Sequence, residues 1–272
     1  MTKLNDKYTL KNGVEIPKIG FGTWQIAPQD AQQAVNNALE LGYRHIDTAL
    51  VYHNEKEVGL GFKQSKLKRE DVFITSKLPA ETKSYKQALV DFQTTLDNLQ
   101  VDYVDLYLIH APWPWSQKGA NYDRQNQEVW RAMEEIYTSG KAKAIGVSNF
   151  NVHDLQNVLA VAKIPPMVNQ IRYFIGHTQQ EVTTFAQEHD ILIEAYSPLA
   201  TGSLLTNTQL QELAAKYQVS LAQLAIQFCI QNNVLPLPKA VQRAHAQANA
   251  QLNFKISSAD MQWLNDFIAS ED

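Results

Sequence analysis

Cysteine is nearly absent: 272 residues contain one, Cys229, so no internal disulfide can form. Its neighbours Ala225, Ile226 and Phe228 mark an apolar helix face, where a thiol is expected to be inert core. Long hydrophobic runs are missing too. The N-terminal MTKLNDKYTL has no apolar segment of the leader type, and no uninterrupted apolar stretch reaches membrane-spanning length. A soluble, cytoplasmic protein without a membrane partner is expected. Neither sign of charge dominates: 24 basic against 28 acidic residues give a net −4, which argues against nucleic acid as a partner. No Ser/Gly-rich or low-complexity stretch divides the chain, so residues 1–272 are expected to form one domain, working as a monomer. The seven histidines form no evident ligand cluster, and no metal is expected. A G-x-G-x-x-G turn, which opens doubly wound dinucleotide folds, is also lacking.

What is present is a chain with 44% apolar residues, enough for a sizeable core. Asn12-Gly13, set between alternating apolar residues, predicts a hairpin with a two-residue turn. Eight short β-rich runs follow: IPKIGFGTW from Ile16, RHIDT from Arg44, VFITSKL from Val72, YVDLYLIH from Tyr103, AIGVSNF from Ala144, MVNQIRY from Met167, ILIEAYS from Ile191 and VLPLPKA from Val234. Helical patterns separate them. Ala31, Ala34, Val35, Ala38 and Leu39 recur at helical spacing and stop at Gly42. Asn54 with Glu57, Ser84 with Gln87, Thr178 with Glu181 and Ser220 with Gln223 read as capping boxes. Between the seventh and eighth runs there is room for two helices, residues 208–217 and 220–231, and a last helix is expected over 261–268. The pattern predicts an α/β fold, a (β/α)8 barrel with an N-terminal hairpin and two extra helices.

In such a barrel the site lies at the C-terminal strand ends. Here those ends are polar: Asp47 with Tyr52 beyond it, Ser76-Lys77, His110, Ser148-Asn149, Gln170 and Tyr196-Ser197. Each alone reads more simply as a turn cap or a packed core group. Together, an acid, a phenol, an ammonium and an imidazole at one mouth suit proton donation to a carbonyl oxygen. A phenol, with an ordinary pKa of about 10, is a poor acid near neutrality. Lys77 beside Tyr52 is expected to lower that value, with Asp47 as the counter-charge that keeps a buried lysine protonated. A neutral His110 would orient the substrate oxygen. Hydride must come from outside the protein, since no side chain supplies it.

The segments GFGTW, GYRHIDTA with the Tyr-His-Asn-Glu after it, ITSKL, DLYLIH, IGVSNF, VNQI, AYSPLA and LPKA run in this order through nearly the whole chain. In this the chain resembles the aldo-keto reductase superfamily, its compact bacterial members above all. The resemblance implies a (β/α)8 barrel that reduces aldehydes or ketones with NADPH, and with NADH also usable. It implies a catalytic tetrad of Asp47, Tyr52, Lys77 and His110. Cofactor contacts would fall on Gly22, Thr23, Trp24 and Asp47, with Ser148, Asn149 and Gln170 on the carboxamide and Tyr196 stacked on the nicotinamide ring. Ser197 and Leu199 would wrap the pyrophosphate, and Lys239, Ala240, Val241, His245 and Asn249 would surround the adenosine 2′-phosphate. Trp24, Val51, Tyr52, His110, Ala111 and Trp113 would line the substrate pocket.

Several positions depart from the family pattern. Ala111 replaces a bulky aromatic, so Trp113 or Trp115 is expected to fill its space, and Arg172 stands where an acid is usual. After Lys239, Ala240, His245 and Ala248 replace Ser, Arg and Glu, which relaxes the expected preference for NADPH. A pocket without a long C-terminal loop is expected, leaving substrate choice loosely constrained. Two other functions use some of the same residues: a Schiff-base aldolase acting through Lys77, and a non-catalytic binding or structural protein. The complete tetrad favours the reductase.

Overall fold

The change of hydrophobic period from 2 to 3.6 and back along the chain becomes an alternation of strands and helices. The computed structural model describes residues 4–268, so the first three and last four residues of the expected 1–272 domain lie outside the described residues. The strands β1 (Lys7–Thr9) and β2 (Glu15–Pro17) pair antiparallel as the expected hairpin. Its turn is longer than expected. Leu10 and Gly13 N–H donate to Val14 and Leu10 C=O, both at 2.8 Å, so the loop is Lys11-Asn12-Gly13, with Gly13 left-handed at φ 84°. Tertiary bonds account for the extra residue. Asn12 Oδ1 accepts from Val14 N–H at 3.2 Å, and its Nδ2 donates to Lys143 C=O at 2.9 Å across the barrel base. Ile16 and Pro17, expected to open the first barrel strand, belong to this hairpin instead.

The barrel consists of β3 (Phe21–Gly22), β4 (His45–Asp47), β5 (Phe73–Leu78), β6 (Val104–Ile109), β7 (Ala142–Ser148), β8 (Val168–Arg172), β9 (Leu192–Tyr196) and β10 (Leu235–Leu237). Neighbours in sequence pair in parallel throughout. Gly20 and Gly22 N–H donate to Pro236 and Pro238 C=O at 3.0 and 3.1 Å, joining the first strand to the last. Glycine is needed at this seam: a Cβ on Gly20 would come within 2.3 Å of Leu237 Cδ2. Every residue of β5 and β6 is buried, as expected of parallel strands covered on both faces.

Outside lie α1 (Pro28–Glu40), α2 (Glu55–Gln64), α3 (Tyr85–Leu99), α4 (Asp123–Thr138), α5 (Val152–Leu159), α6 (Gln180–Glu188), α8 (Leu221–Gln231) and α9 (Arg243–Asn249). Two helices are extra, α7 (Thr208–Lys216) and α10 (Ser258–Asp266); α10 starts and stops before the expected 261–268. The face of α1 that is buried contains Ala31, Ala34, Val35, Ala38 and Leu39, the periodic set. Of the expected capping boxes, Ser220 with Gln223 is complete. Ser84 accepts from Gln87 N–H, but the Gln87 side chain turns to Asp91. At Thr178 the helix instead begins after Gln179, which has φ 47° and no side-chain cap. Asn54 is fully buried and caps nothing: it donates to Thr23 and Ile26 C=O and accepts from Thr48 Oγ1, because buried carbonyls outcompete a local cap.

The barrel interior splits in two. At its base, Leu10 and Ile16 of the hairpin region pack with Phe73, Leu106, Leu108, Val168, Leu235 and Leu237. The upper interior is polar. Cys229 is fully buried, and that burial pushes its thiol well above the ordinary range, as expected of an inert core cysteine. Among the described residues no helix is long and apolar enough to cross a membrane.

Candidate active site

Alternation along β4 turns His45 and Asp47 into the barrel and Ile46 out to the helices, and the same period in β5 brings Lys77 beside Asp47. Lys77 is completely buried. Its Nζ donates to Asp47 Oδ1 at 2.7 Å, Thr48 C=O at 2.9 Å and Tyr52 Oη at 3.4 Å, occupying all three donors. Tyr52 ends a single 3₁₀ turn, Leu50–Tyr52, that the left-handed His53 terminates at φ 56°. His110 follows β6, its ring 5.6 Å from that of Tyr52.

Burial and charge set the ionisation of these groups. Burial works most strongly against a charged Lys77, but the Asp47 carboxylate, by charge and hydrogen bond, together with Tyr52 and Glu194 holds the ammonium pKa above its usual value. Burial pushes the Tyr52 phenol up to about 12, with Lys77 pulling the other way. The expected lowering of the phenol is therefore reversed: desolvation exceeds the attraction of one ammonium. His110 is lowered to about 3, first by burial and then by Lys77, so its imidazole is neutral. A fully buried lysine whose three donors are all engaged presents no free amine to a carbonyl, which argues against the aldolase reading.

One carboxyl escaped the sequence pattern. Glu194, in the middle of β9, is fully buried, and its Oε2 accepts from Gln170 Nε2 at 2.8 Å; the same nitrogen donates to Asp47 Oδ2 at 2.8 Å. Burial, then repulsion from Asp47, raises Glu194 to about 8. Its only sequence signal was a glutamate inside the apolar run ILIEAYS. Lys83 was missed as well. Its Nζ holds Ala111 C=O at 3.0 Å and Asn126 Oδ1 at 3.1 Å, and burial lowers its pKa to about 8.

A cavity of about 650 Å³ opens over the tetrad. Of the expected site residues it is lined by Gly22, Trp24, Asp47, Val51, Tyr52, His110, Ser148, Asn149, Gln170, Tyr196, Ser197, Leu199 and Lys239, with Arg172 at its wall. Others stand elsewhere. Thr23 is buried and ties β3 to β4, its N–H and Oγ1 both donating to Asp47 C=O. Ala111 is buried behind the wall under the Lys83 bond. Of the two tryptophans expected to fill the space beside Ala111, Trp115 lines the cavity, its ring 5.5 Å from His110, and Trp113, expected among the substrate contacts, backs it at 5.3 Å. Ala240 and Asn249 are buried while Val241 and His245 are exposed, all outside the cavity and beyond Lys239. Arg243 pairs with Glu40 at 2.6 Å, committing its charge to α1.

The backbone around the mouth is held in left-handed conformations at Asn149 (φ 62°), Ser197 (φ 50°), Ala200 (φ 49°) and Thr201 (φ 55°), a cluster of the kind found at functional sites. Asn149 is internally engaged, donating to His110 C=O at 2.9 Å and accepting from Tyr196 Oη at 2.8 Å. Gln170 Oε1, by contrast, accepts no hydrogen bond among the described residues. A free amide oxygen beside the tyrosine ring of Tyr196, with Lys239 farther along the wall, fits a planar ring bearing a carboxamide and linked to phosphates. Among the described residues no three His, Cys, Asp or Glu side chains gather as a metal-ligand set.

Known proteins resemble this chain along nearly its whole length. Residues 18–269 match the Aldo/keto reductase family. The chain is 41% identical to glyoxal reductase of Bacillus subtilis (strain 168) over 262 residues, covering 96% of this chain and 92% of that protein. It is 36% identical to the 9,11-endoperoxide prostaglandin H2 reductase of Trypanosoma cruzi (strain CL Brener), covering 95% and 90%. Among solved structures, an aldo/keto reductase from Brucella melitensis superposes with a TM-score of 0.90 at 37% identity, covering 96% and 98%. A Bombyx mori aldo-keto reductase in complex with NADP does so with a TM-score of 0.88 at 30% identity, covering 98% and 93%.

Proposed function

Since the chain belongs to the aldo/keto reductase family, and is as such an NAD(P)H-dependent oxidoreductase, we propose that it reduces small aldehydes and ketones to alcohols with Tyr52 as proton donor. The observation that carries this reading is the run of contacts from Asp47 through Lys77 to Tyr52, aimed at a cavity that His110 also lines. A bound reduced nicotinamide supplies the hydride; the protein supplies position and a proton. Burial keeps the phenol protonated at neutral pH, so the acid is in place when a carbonyl arrives. As its proton leaves, the oxygen becomes a phenolate 3.4 Å from the Lys77 ammonium, which stabilises that charge. His110 is neutral and its Nδ1 is buried without a partner, leaving Nε2 to meet the substrate oxygen. Asp47 acts through Lys77, offsetting its burial.

For the cofactor, Gln170 would receive the carboxamide, with Ser148 and Asn149 beside it; Tyr196 would stack on the ring, and Gly22, Trp24, Ser197 and Leu199 would flank it. Lys239 would meet the 2′-phosphate, with Ala240, Val241, His245 and Asn249 around it. NADPH is the assigned cofactor, with NADH also used. A guanidinium forks onto phosphate, and here His245 stands in that place while Arg243 is held by Glu40. His245→Arg is expected to raise the NADPH/NADH ratio of kcat/KM roughly ten- to hundredfold, the worth of one charge-assisted contact.

The substrate class follows from a pocket walled by Trp24, Val51 and Trp115 with few polar anchors, and from the likeness to a glyoxal reductase. Loss of reduced-nicotinamide absorbance with glyoxal, an aromatic aldehyde and a sugar aldehyde tests it, with no metal added. Turnover with at least one is expected. No turnover with any of the three overturns the reading.

A further inference from the structure

A primary amide has two N–H hydrogens, and on Gln170 both point down into the barrel, to Asp47 Oδ2 and to Glu194 Oε2, each at 2.8 Å. With ionised Asp47 accepting on one side and Glu194 Oε2 on the other, the amino end faces inward, so Oε1 is turned to the cavity. Asp47 already serves Lys77 through its other oxygen. Among the described residues Glu194 has no ion pair and no hydrogen bond besides that from Gln170, and its Oε1 is buried without a partner. A carboxyl isolated in this way is unfavourable for the fold, so its one contact is its evident use.

We propose that Glu194 is a positioning residue that locks the Gln170 amide with its oxygen toward the cavity, where it accepts an N–H from the nicotinamide carboxamide. The inference rests on the reading that a nicotinamide cofactor occupies this cavity. It separates one half of the cofactor from the other. Glu194 acts on the nicotinamide end alone, whereas general damage to the barrel would weaken both ends.

The test is fluorescence titration of the protein with NADPH and with 2′-phospho-ADP-ribose, which lacks the nicotinamide. Glu194→Leu is expected to weaken NADPH about three- to tenfold, the range for one lost hydrogen bond, and to leave 2′-phospho-ADP-ribose within about twofold. Glu194→Gln, which keeps an acceptor of the same shape, restores most of the NADPH affinity. In a Gln170→Leu background, Glu194→Leu adds no further loss, because the residue acts through Gln170. Equal weakening of both ligands overturns the proposal, as does wild-type NADPH affinity in Glu194→Leu. Should Glu194→Leu not fold, Glu194→Asp, whose carboxylate falls short of Gln170, takes its place with the same expected loss. Wild-type protein that binds 2′-phospho-ADP-ribose but shows no added affinity for NADPH overturns the nicotinamide assignment and this inference together; a selective wild-type site that Glu194→Leu leaves untouched overturns this inference alone.

Discussion

The two ends of the barrel use the same strands and treat their polar groups in opposite ways. At the base, Asp105 has both oxygens occupied: Oδ2 accepts from Arg69 at 2.6 Å and Ile74 N–H at 2.9 Å, and Oδ1 pairs with Lys143 at 3.1 Å. The Tyr103 ring lies within 4.1 and 4.2 Å of the same two cations. At the mouth, His110 Nδ1 and Glu194 Oε1 are buried and unanswered, Gln170 Oε1 faces the cavity, and the backbone passes through left-handed turns. The Asp105 carboxylate is fully answered within the protein, although Arg69 Nε beside it is buried without a partner. At the mouth Tyr52, His110 and Gln170 face the cavity, and the strain of the left-handed turns there is carried by the packing below.

The largest expected effect tests the mouth. Tyr52→Phe removes the proton donor and leaves the ring, so kcat is expected to fall 10²–10⁴-fold while cofactor affinity and melting temperature hold. A fall of less than about tenfold in steady-state turnover would mean another group is the acid. At the base the reverse is expected. Asp105→Ala leaves two cations without their shared partner and should lower unfolding free energy by about 3 kcal/mol in urea, with kcat/KM per folded molecule unchanged. Lost turnover at intact stability would break the division between the two ends.

The smallest effect is a pH dependence of opposite signs. Burial depresses His45 and His110 to about 3 in the fold from 6.5 unfolded. Between those values the unfolded chain binds more protons, so their contribution is present above pH 6.5 and is lost as pH falls. Glu194 is raised from 4.5 to about 8, so the folded chain binds the extra proton and stability is lost as pH rises through that window. From pH 7 to 6 the terms oppose one another, each histidine losing less, and the glutamate gaining more, than about 1 kcal/mol. Glu194→Gln removes one side of the balance, so its stability relative to wild type should fall between pH 7 and 6 and rise toward pH 8. Parallel melting curves for the two proteins across that range would contradict the assignment.

Much of this was legible in sequence because strand ends announce themselves. Asp47, Lys77 and His110 stand at or next to the ends of their strands, where parallel register brings them together, and Gln170 was legible through the VNQI motif. Glu194 was not legible, since it sits inside its run and matters only through its pairing with Gln170 across β8 and β9. Periodicity is silent in loops, which is why the choice between Trp113 and Trp115 stayed open and the third residue of the hairpin turn was not foreseen. The pairing of Arg243 with Glu40, distant in sequence, required the fold. The phenol of Tyr52 went the wrong way because its pKa depends on burial, which adjacent residue types do not state.

The seam between β3 and β10 has a consequence for synthesis. Leu10, Ile16 and Phe21 emerge first, yet the hairpin packs on Leu235 and Leu237, Tyr8 Oη donates to Ile230 C=O at 3.4 Å, and Gly20 and Gly22 bond to Pro236 and Pro238. At ribosomal rates, on the order of ten seconds or more separates the two edges. Through that interval the first strand is an open edge with apolar side chains and no partner on one side, the condition under which chains associate wrongly. Closure joins sequence-distant segments and therefore waits for β10, the last strand to be made.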